Sequence, residues 1–179
     1  MKRTIVFVAL LSLFCASGHA QDKEKKSVTL RGILLEALQT THKKQDWFVP
    51  ASNAVAGLTA EQASWKDNTG NHSIGQLAYH IAFWDKQALA AMKGEKTADV
   101  PDNEKTFDSF DAKTWDATVA QLDQVMTDLE KFVETADEAT LEKNASRITH
   151  IATHNAYHTG QILYIRREKG WWDPAKGVK

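Results

Sequence analysis

Two histidines near the carboxyl end of the chain have the spacing of metal ligands. His154 and His158 are four residues apart in a stretch with helical periodicity, so their rings project from one helix face about one turn apart. On a helical wheel they fall among apolar residues, with His158 about 40° and Ile151 about 60° from His154. Two imidazoles at this separation can chelate one divalent ion. The pair alone is a modest signal, because buried histidines often only hydrogen-bond to a neighbouring carbonyl or tyrosine.

A third histidine strengthens the metal interpretation. His80 lies at the border of the apolar stripe of another predicted helix, between Leu77 and Trp84, from where its ring can face the pair. Three imidazoles form a site that keeps open positions for water or substrate. Burying three unpaired imidazoles costs solvation free energy that a metal ion offsets, so a ligand set explains the pattern better than packing. The sequence predicts a divalent metal at His80, His154 and His158, with zinc as the default for neutral imidazoles.

The remaining histidines receive ordinary interpretations. His150 lies on the same helix face as the pair and stays open as a fourth ligand, a neighbour of the ligands or a surface residue. His42 lies nearly 90° from the centre of its apolar stripe, about a quarter turn, so we expect it to be half-exposed. His72 precedes a helix start, where a solvated capping role suffices.

Other polar residues leave the chemistry open. Asp85 is expected to point away from His80 into solvent, so the sequence offers no clear general base. Asn155, Tyr157 and Gln161 can orient the rings or a substrate, and each is equally plausible as a satisfied polar residue of the core. The sequence contains no P-loop and no His-Glu-x-x-His, Gly-x-Ser-x-Gly or Glu-x-x-His motif.

Four amphipathic helices must position these residues. A Ser-x-x-Gln capping box at Ser73 opens the second helix, Gly94 ends it, and Gly170 caps the fourth. A short capped turn at residues 59–62 follows Pro50, which ends or kinks the first helix. Residues 95–110 are a long crossover loop, which permits parallel neighbours, and residues 137–144 are a polar break. The pattern predicts an all-α four-helix bundle with helices at residues 28–49, 74–93, 112–135 and 146–169.

Composition and the amino terminus limit the possible functions. The chain has 179 residues with 22 basic and 23 acidic side chains, a net charge of −1 that disfavours nucleic acid as a partner. Residues 1–20 have the basic start, short apolar run and small residues of a secretory signal peptide, with cleavage expected after Ala20. The mature domain, residues 21–179, then has no cysteine and no membrane anchor, which excludes thiolate ligands and cysteine nucleophiles. We therefore expect a periplasmic or secreted protein.

Two segments carry a family resemblance. Residues 72–84 read His-Ser-Ile-Gly-Gln-Leu-Ala-Tyr-His-Ile-Ala-Phe-Trp, and residues 154–162 read His-Asn-Ala-Tyr-His-Thr-Gly-Gln-Ile. Together with Trp65 and the order of helices, they make the chain resemble the DinB-like superfamily of bacterial four-helix metalloproteins. The resemblance implies an up-down-down-up bundle and a metal triad at His80, His154 and His158, the same three residues that helix geometry selects. It also implies zinc, nickel or manganese, and reactions with low-molecular-weight thiols, which are scarce outside the cytosol.

Three functional hypotheses follow from these observations. The first is an exported metal-dependent hydrolase or transferase that acts on an unidentified small molecule, with water or substrate in the open metal position. The second is an exported protein that binds a metal or a small ligand without catalysis. The third is a helical domain whose histidines only pack. A homodimer formed through an apolar helix face is compatible with all three.

Overall fold

The computed structural model describes residues 28–178, and this part of the chain is all α-helical with no strand. The all-α prediction is therefore confirmed, while the predicted signal peptide at residues 1–20 lies outside the described residues. Among residues 28–178, no helix has the length and apolar composition needed to cross a membrane. The α-helices are α1 Leu30–His42, α2 Ala51–Val55, α3 Ala60–Ser64, α4 Ile74–Lys93, α5 Lys105–Asp108, α6 Trp115–Thr135 and α7 Glu138–Glu168.

Local sequence signals explain most helix ends. Ser73 and Gln76 form the predicted capping box at the start of α4, and Thr59 and Gln62 form another at α3. Gly94 ends α4 with a φ of 74°, a left-handed conformation that favours glycine. The third predicted helix, at residues 112–135, is also confirmed. Its first three residues form a 3-10 turn, Ala112–Thr114, and the rest form α6.

The first helix is shorter than predicted at both ends, by seven residues at its carboxyl end. It ends at His42 rather than at position 49, because the amides of Lys43 and Lys44 both donate to the carbonyl of Gln39. Two amides that share one carbonyl interrupt the repeating helical hydrogen bonds. Pro50 does not kink this helix but precedes α2, where its fixed φ and missing amide proton suit a helix start.

The last helix is longer than predicted. The residues interpreted as a polar break form its first two turns, because the Asp137 side chain accepts from the Thr140 amide and caps the helix. Leu141 in these turns is fully buried. These turns contain few apolar residues, so the hydrophobic periodicity did not predict them. In the structure Asp137 caps the helix and Leu141 is buried.

Two apolar clusters hold the long helices together, and a polar layer separates them. Helix α4 packs on α6 and α7, and α1 packs on the same two helices. Along α4, Ile81 belongs to the first cluster and Leu89 to the second, with buried Asp85 between them. Along α7, the fully buried Asn155 lies between the two clusters in the same way. The predicted metal site lies in this layer.

His42 is fully buried, which corrects the expectation of a half-exposed residue. Its Nδ1 lies 2.6 Å from an oxygen of Glu130, and its Nε2 lies 2.9 Å from an oxygen of Asp123. Each ring nitrogen of His42 therefore faces a carboxylate oxygen of α6. The ion pairs join the end of α1 to α6. Helix wheels cannot detect them, because both acids lie on α6, 88 and 81 residues away in sequence.

The long crossover contains α5 and closes over one end of α4. Phe110 packs directly on Gly75, so closely that a Cβ at position 75 would overlap the phenyl ring. Gly75 is therefore needed for close approach rather than for an unusual backbone angle. The contact fixes the crossover over the polar layer.

Replacing Gly75 with alanine should destabilise the protein. The added methyl group must displace Phe110, and overpacking of this kind costs about 1–3 kcal/mol of unfolding free energy. Gly160→Ala is the matched control: no atom lies within 4 Å of the added Cβ, so alanine in this helix should raise stability by about 0.5–1 kcal/mol. Urea unfolding of the two variants measures both effects, and equal stability changes would refute the packing argument.

Candidate metal centre

The structure brings the three predicted histidines together. His80 comes from α4, and His154 and His158 come from α7 one turn apart. One ring nitrogen from each residue lies within 4.8 Å of the other two, and within residues 28–178 no other cluster of three or more such ligand groups is found. The Nε2 atoms of His80 and His154 are 3.2 Å apart. Adjacent nitrogens around a tetrahedral zinc ion with bonds of about 2.05 Å are about 3.3 Å apart, so this pair fits a shared ion.

Hydrogen bonds assign the ring nitrogen that is free to bind metal. The Thr106 hydroxyl donates to the carbonyl of Asn103 at 2.6 Å, so it can only accept from Nδ1 of His80, also at 2.6 Å. Nδ1 of His158 lies 2.6 Å from the side-chain oxygen of Gln161, another acceptor. Both rings therefore carry a proton on Nδ1 and a lone pair on Nε2, the tautomer that metal-binding histidines adopt.

The third ring, that of His154, also has a side-chain oxygen near its Nδ1, but at a longer distance. Nδ1 of His154 lies 3.4 Å from the side-chain oxygen of Asn155. The amide nitrogen of Asn155 donates to Asp85 at 2.8 Å, which turns its oxygen toward the histidine. Asp85 thereby orients Asn155 and, through it, favours the same tautomer of His154.

Asp85 corrects a second sequence expectation, because it is buried rather than solvated. Helix α4 packs against both α6 and α7. Asp85 lies outside the apolar stripe of α4, but it is still buried because a second helix covers that side. Burial raises the pKa of Asp85 to about 8, although the hydrogen bond from Asn155 opposes the shift. Its second oxygen has no hydrogen-bond partner among residues 28–178. Burial therefore favours the protonated form of this carboxyl group.

Aromatic stacking holds the His80 ring in place. Phe107 from the crossover stacks on it with ring centres 3.9 Å apart, and His72 stacks on the opposite face of Phe107 at 3.7 Å. His72 also approaches Glu104, at 3.6 Å. His72 is thus half-buried in a stack rather than only solvated before a helix, while remaining outside the triad.

Burial keeps the triad neutral. Desolvation, with a smaller contribution from the neighbouring histidines, lowers the pKa of His80 to about 3. Desolvation also lowers the pKa of His154, and that of His158 to about 4, although a hydrogen bond to Gln161 opposes the shift in His158. Neutral imidazole is the form that binds metal, so protons do not compete for these nitrogens near neutral pH.

The triad opens into a groove of about 940 Å³ between α4 and α7. Its triad end is lined by Phe107 and Tyr157, and its wall by Trp84, whose indole nitrogen donates to the side chain of Asn103. His150, which the sequence left open as a fourth ligand, lies further along this groove outside the triad. The sequence did not predict that Thr106 and Phe107 contact His80. The crossover has no hydrophobic periodicity, so nothing in its sequence indicates which of its side chains face the site.

The comparisons with known proteins agree with this arrangement. The family model of the DinB superfamily matches residues 51–162, which contain the whole triad. The chain belongs to the DinB superfamily. It is 28% identical over 137 residues to a protein of Geobacillus thermodenitrificans (strain NG80-2) named "Putative metal-dependent hydrolase", a match that covers 66% of this chain and 77% of that protein.

A second relative has the same description. This protein of Geobacillus kaustophilus (strain HTA426) is 26% identical over 137 residues, with the same shares of the two chains covered. No solved structure gives a significant match. The family resemblance drawn from residues 72–84 and 154–162 is thus confirmed, and both relatives are named for metal-dependent hydrolysis.

Thr106→Val should weaken zinc binding. The substitution keeps the shape of the side chain but removes the acceptor for Nδ1 of His80, and loss of such a partner lowers metal affinity by about 10–100-fold. Thr153→Val is the control, because the exposed Thr153 hydroxyl bonds only to carbonyls of its own helix. Competition with a chromogenic chelator measures both affinities, and a wild-type affinity in Thr106→Val would contradict the assigned tautomer.

The metal-free protein should lose stability as the pH falls below 6.5. The unfolded chain then binds protons at His80 and His158, while the folded chain excludes them until about pH 4 and below. Asp85 acts in the opposite direction, since its raised pKa makes folding less favourable as the pH rises toward 8.

The double variant His80→Gln/His158→Gln lacks the two histidines but retains Asp85. The difference in pH-dependent stability between it and the wild type is therefore due to the two histidines. Urea unfolding of both chelator-treated proteins at about pH 7 and about pH 5 gives the loss of unfolding free energy on acidification. The wild type should lose more than the variant. Equal losses would show that the two rings are not held neutral in the folded protein.

Proposed function

We propose that the protein is an exported metal-dependent hydrolase that holds one divalent ion, preferably zinc, through His80, His154 and His158. The observation that carries the proposal is the convergence of three neutral imidazoles, each with Nδ1 next to a side-chain oxygen. Without a cation, this buried cluster has only a solvation cost. The names of the two relatives support hydrolysis over transfer.

A bound zinc ion with three protein ligands supplies a water molecule whose pKa is lowered toward about 7 and a Lewis acid for a carbonyl or phosphoryl oxygen. The residues of the chain have positioning roles. Thr106, Gln161 and Asn155 fix the three ring tautomers. Phe107 stacks on His80 and closes one side of the centre, which leaves the groove as the path for substrate.

Asp85 is the candidate for proton transfer that the sequence did not offer. It lines the groove, its second oxygen has no partner among the described residues, and burial raises its pKa to about 8. A group with a pKa close to the working pH can both donate and accept a proton during turnover. We assign this role to Asp85 together with its positioning of Asn155.

The proposed architecture is a four-helix bundle with an up-down-down-up course formed by α1, α4, α6 and α7. Arg31 at the start of α1 donates to Ala136 just after α6, and His42 at the end of α1 contacts Glu130 earlier in α6, which supports an antiparallel pair. The contacts of His80 with His158, and of Asp85 with Asn155 earlier in α7, support an antiparallel α4 and α7. The long crossover then joins parallel helices.

The proposed setting is the periplasm or the extracellular space, with residues 1–20 removed on export. Its partner is a small-molecule substrate, and the near-balanced charge gives no support for a nucleic acid partner. A homodimer is compatible with the fold and is not required by the centre, since one chain supplies all three histidines.

Elemental analysis of the untagged mature protein tests the proposal. We expect about one equivalent of a transition metal in the wild type, and its loss in each of the variants His80→Ala, His154→Ala and His158→Ala. His150→Ala, which removes a histidine of the same groove, should keep the metal. The wild type should also hydrolyse chromogenic esters, lose this activity on chelation and regain it with zinc.

Two results would contradict parts of the proposal. A protein that takes up no metal, even after reconstitution with zinc, nickel and manganese, would have histidines that only pack. A protein that holds the metal but turns over no ester, amide or phosphoester would instead be a metal-binding protein without hydrolytic activity.

A further inference from the structure

The groove has a cationic end remote from the metal centre. Lys143, Arg147 and His150 line it, and successive spacings of four, three and four residues place them on the same face of α7 as His154. The face that presents the triad therefore continues directly into two permanent positive charges. Nothing in the centre itself requires these charges.

The two cations are available to a ligand. Among residues 28–178, neither Lys143 nor Arg147 has an acidic side chain within 4.0 Å, and both are exposed. One exposed cation that does have such a partner is Lys44, which lies 3.7 Å from Glu36. The guanidinium of an arginine binds a carboxylate or a phosphate through two parallel hydrogen bonds, which a surface without a ligand leaves unused.

The acidic groups of the groove do not neutralise this end. Glu104 lies at the triad end next to His72. Asp85 is buried in the wall and accepts from Asn155. The charge of the groove is therefore polarised along its length, with neutral imidazoles at one end and the cations at the other.

The distance between the two ends defines the shape of a ligand. With a rise of about 1.5 Å per residue, Arg147 lies about 10 Å and Lys143 about 16 Å along the helix axis from His154. Between them the groove is lined by His150 and by two apolar side chains, Ala88 from α4 and Ile151 from α7. A matching molecule has a metal-binding end, an apolar middle and an anionic end.

We propose that the substrates of this groove carry an oxyanion, a carboxylate or a phosphate, that Lys143 and Arg147 bind about two to three helical turns from the metal centre. The proposal rests on the proposed function, because it concerns the substrate of the same centre. The oxyanion site selects and orients the substrate, while its hydrolysable bond is placed next to the triad.

Hydroxamates, which bind zinc through their head group, test the proposal without turnover. The probes are suberic acid monohydroxamate, octanohydroxamate and 7-phosphonoheptanohydroxamate, which end in a carboxylate, a methyl group and a phosphonate. Calorimetric titration of the zinc-loaded wild type should show about tenfold tighter binding for at least one anionic probe than for octanohydroxamate. The advantage should shrink as sodium chloride is raised. The more favoured anionic probe identifies which oxyanion the site prefers.

Variants locate the effect. Lys143→Gln/Arg147→Gln should reduce the advantage of the anionic probe to about twofold or less, while the affinity for octanohydroxamate stays unchanged and shows that the centre is intact. Arg167→Gln is the control for the single variants Lys143→Gln and Arg147→Gln, since it removes one positive charge from an exposed position of the same helix outside the groove. It should leave the advantage in place.

Three outcomes would overturn the proposal, and the first two leave the metal centre intact. Equal binding of all three probes by the wild type would leave the centre in place and remove the oxyanion site. An equal loss in Arg167→Gln would indicate a general electrostatic field instead of a local site. Failure of every hydroxamate to bind the zinc-treated wild type would refute the metal centre and the oxyanion site together.

Discussion

The arrangement of the protein depends on holding three uncharged imidazoles around one point inside a helical core. Two of the rings come from α7 and one from α4, so the centre exists only while these two helices keep a fixed distance and register. The rings themselves cannot supply that register, because desolvating them without a bound ion is unfavourable. The apolar clusters on either side of the polar layer supply it, with Ile81 and Ile162 on one side and Leu89 and Ile148 on the other.

The same residue type serves opposite electrostatic purposes in this core. His42 has a carboxylate oxygen next to each ring nitrogen, and these contacts join α1 to α6. His80 has a hydroxyl, a phenyl ring and other histidines around it, and burial lowers its pKa to about 3. His42 and His80 are both buried and differ in their neighbours, because carboxylates flank His42 while a hydroxyl group and uncharged rings surround His80.

The crossover between α4 and α6 is part of the site rather than a simple connection. Thr106 fixes the tautomer of His80, and Phe107 closes one side of the triad. Access is then restricted to the groove, whose far end carries Lys143 and Arg147. In the proposed function, the triad end positions the reactive bond and the cationic end recognises the rest of the molecule; the DinB relatives are named for metal-dependent hydrolysis.

The sequence by itself determined the helical class and the two capping boxes, because each depends on spacing within one helix. It also indicated the triad, through a histidine pair four residues apart and a third histidine at the border of another apolar stripe. It did not determine the roles of His42, Asp85 and Thr106, each of which is set by a partner on another element. The burial of Asp85 follows from covering α4 on two sides, and the His42 ion pairs follow from packing α1 on α6. Such contacts join residues that are far apart in the chain. The residue pattern of a single helix cannot predict them, so only the tertiary structure decided them.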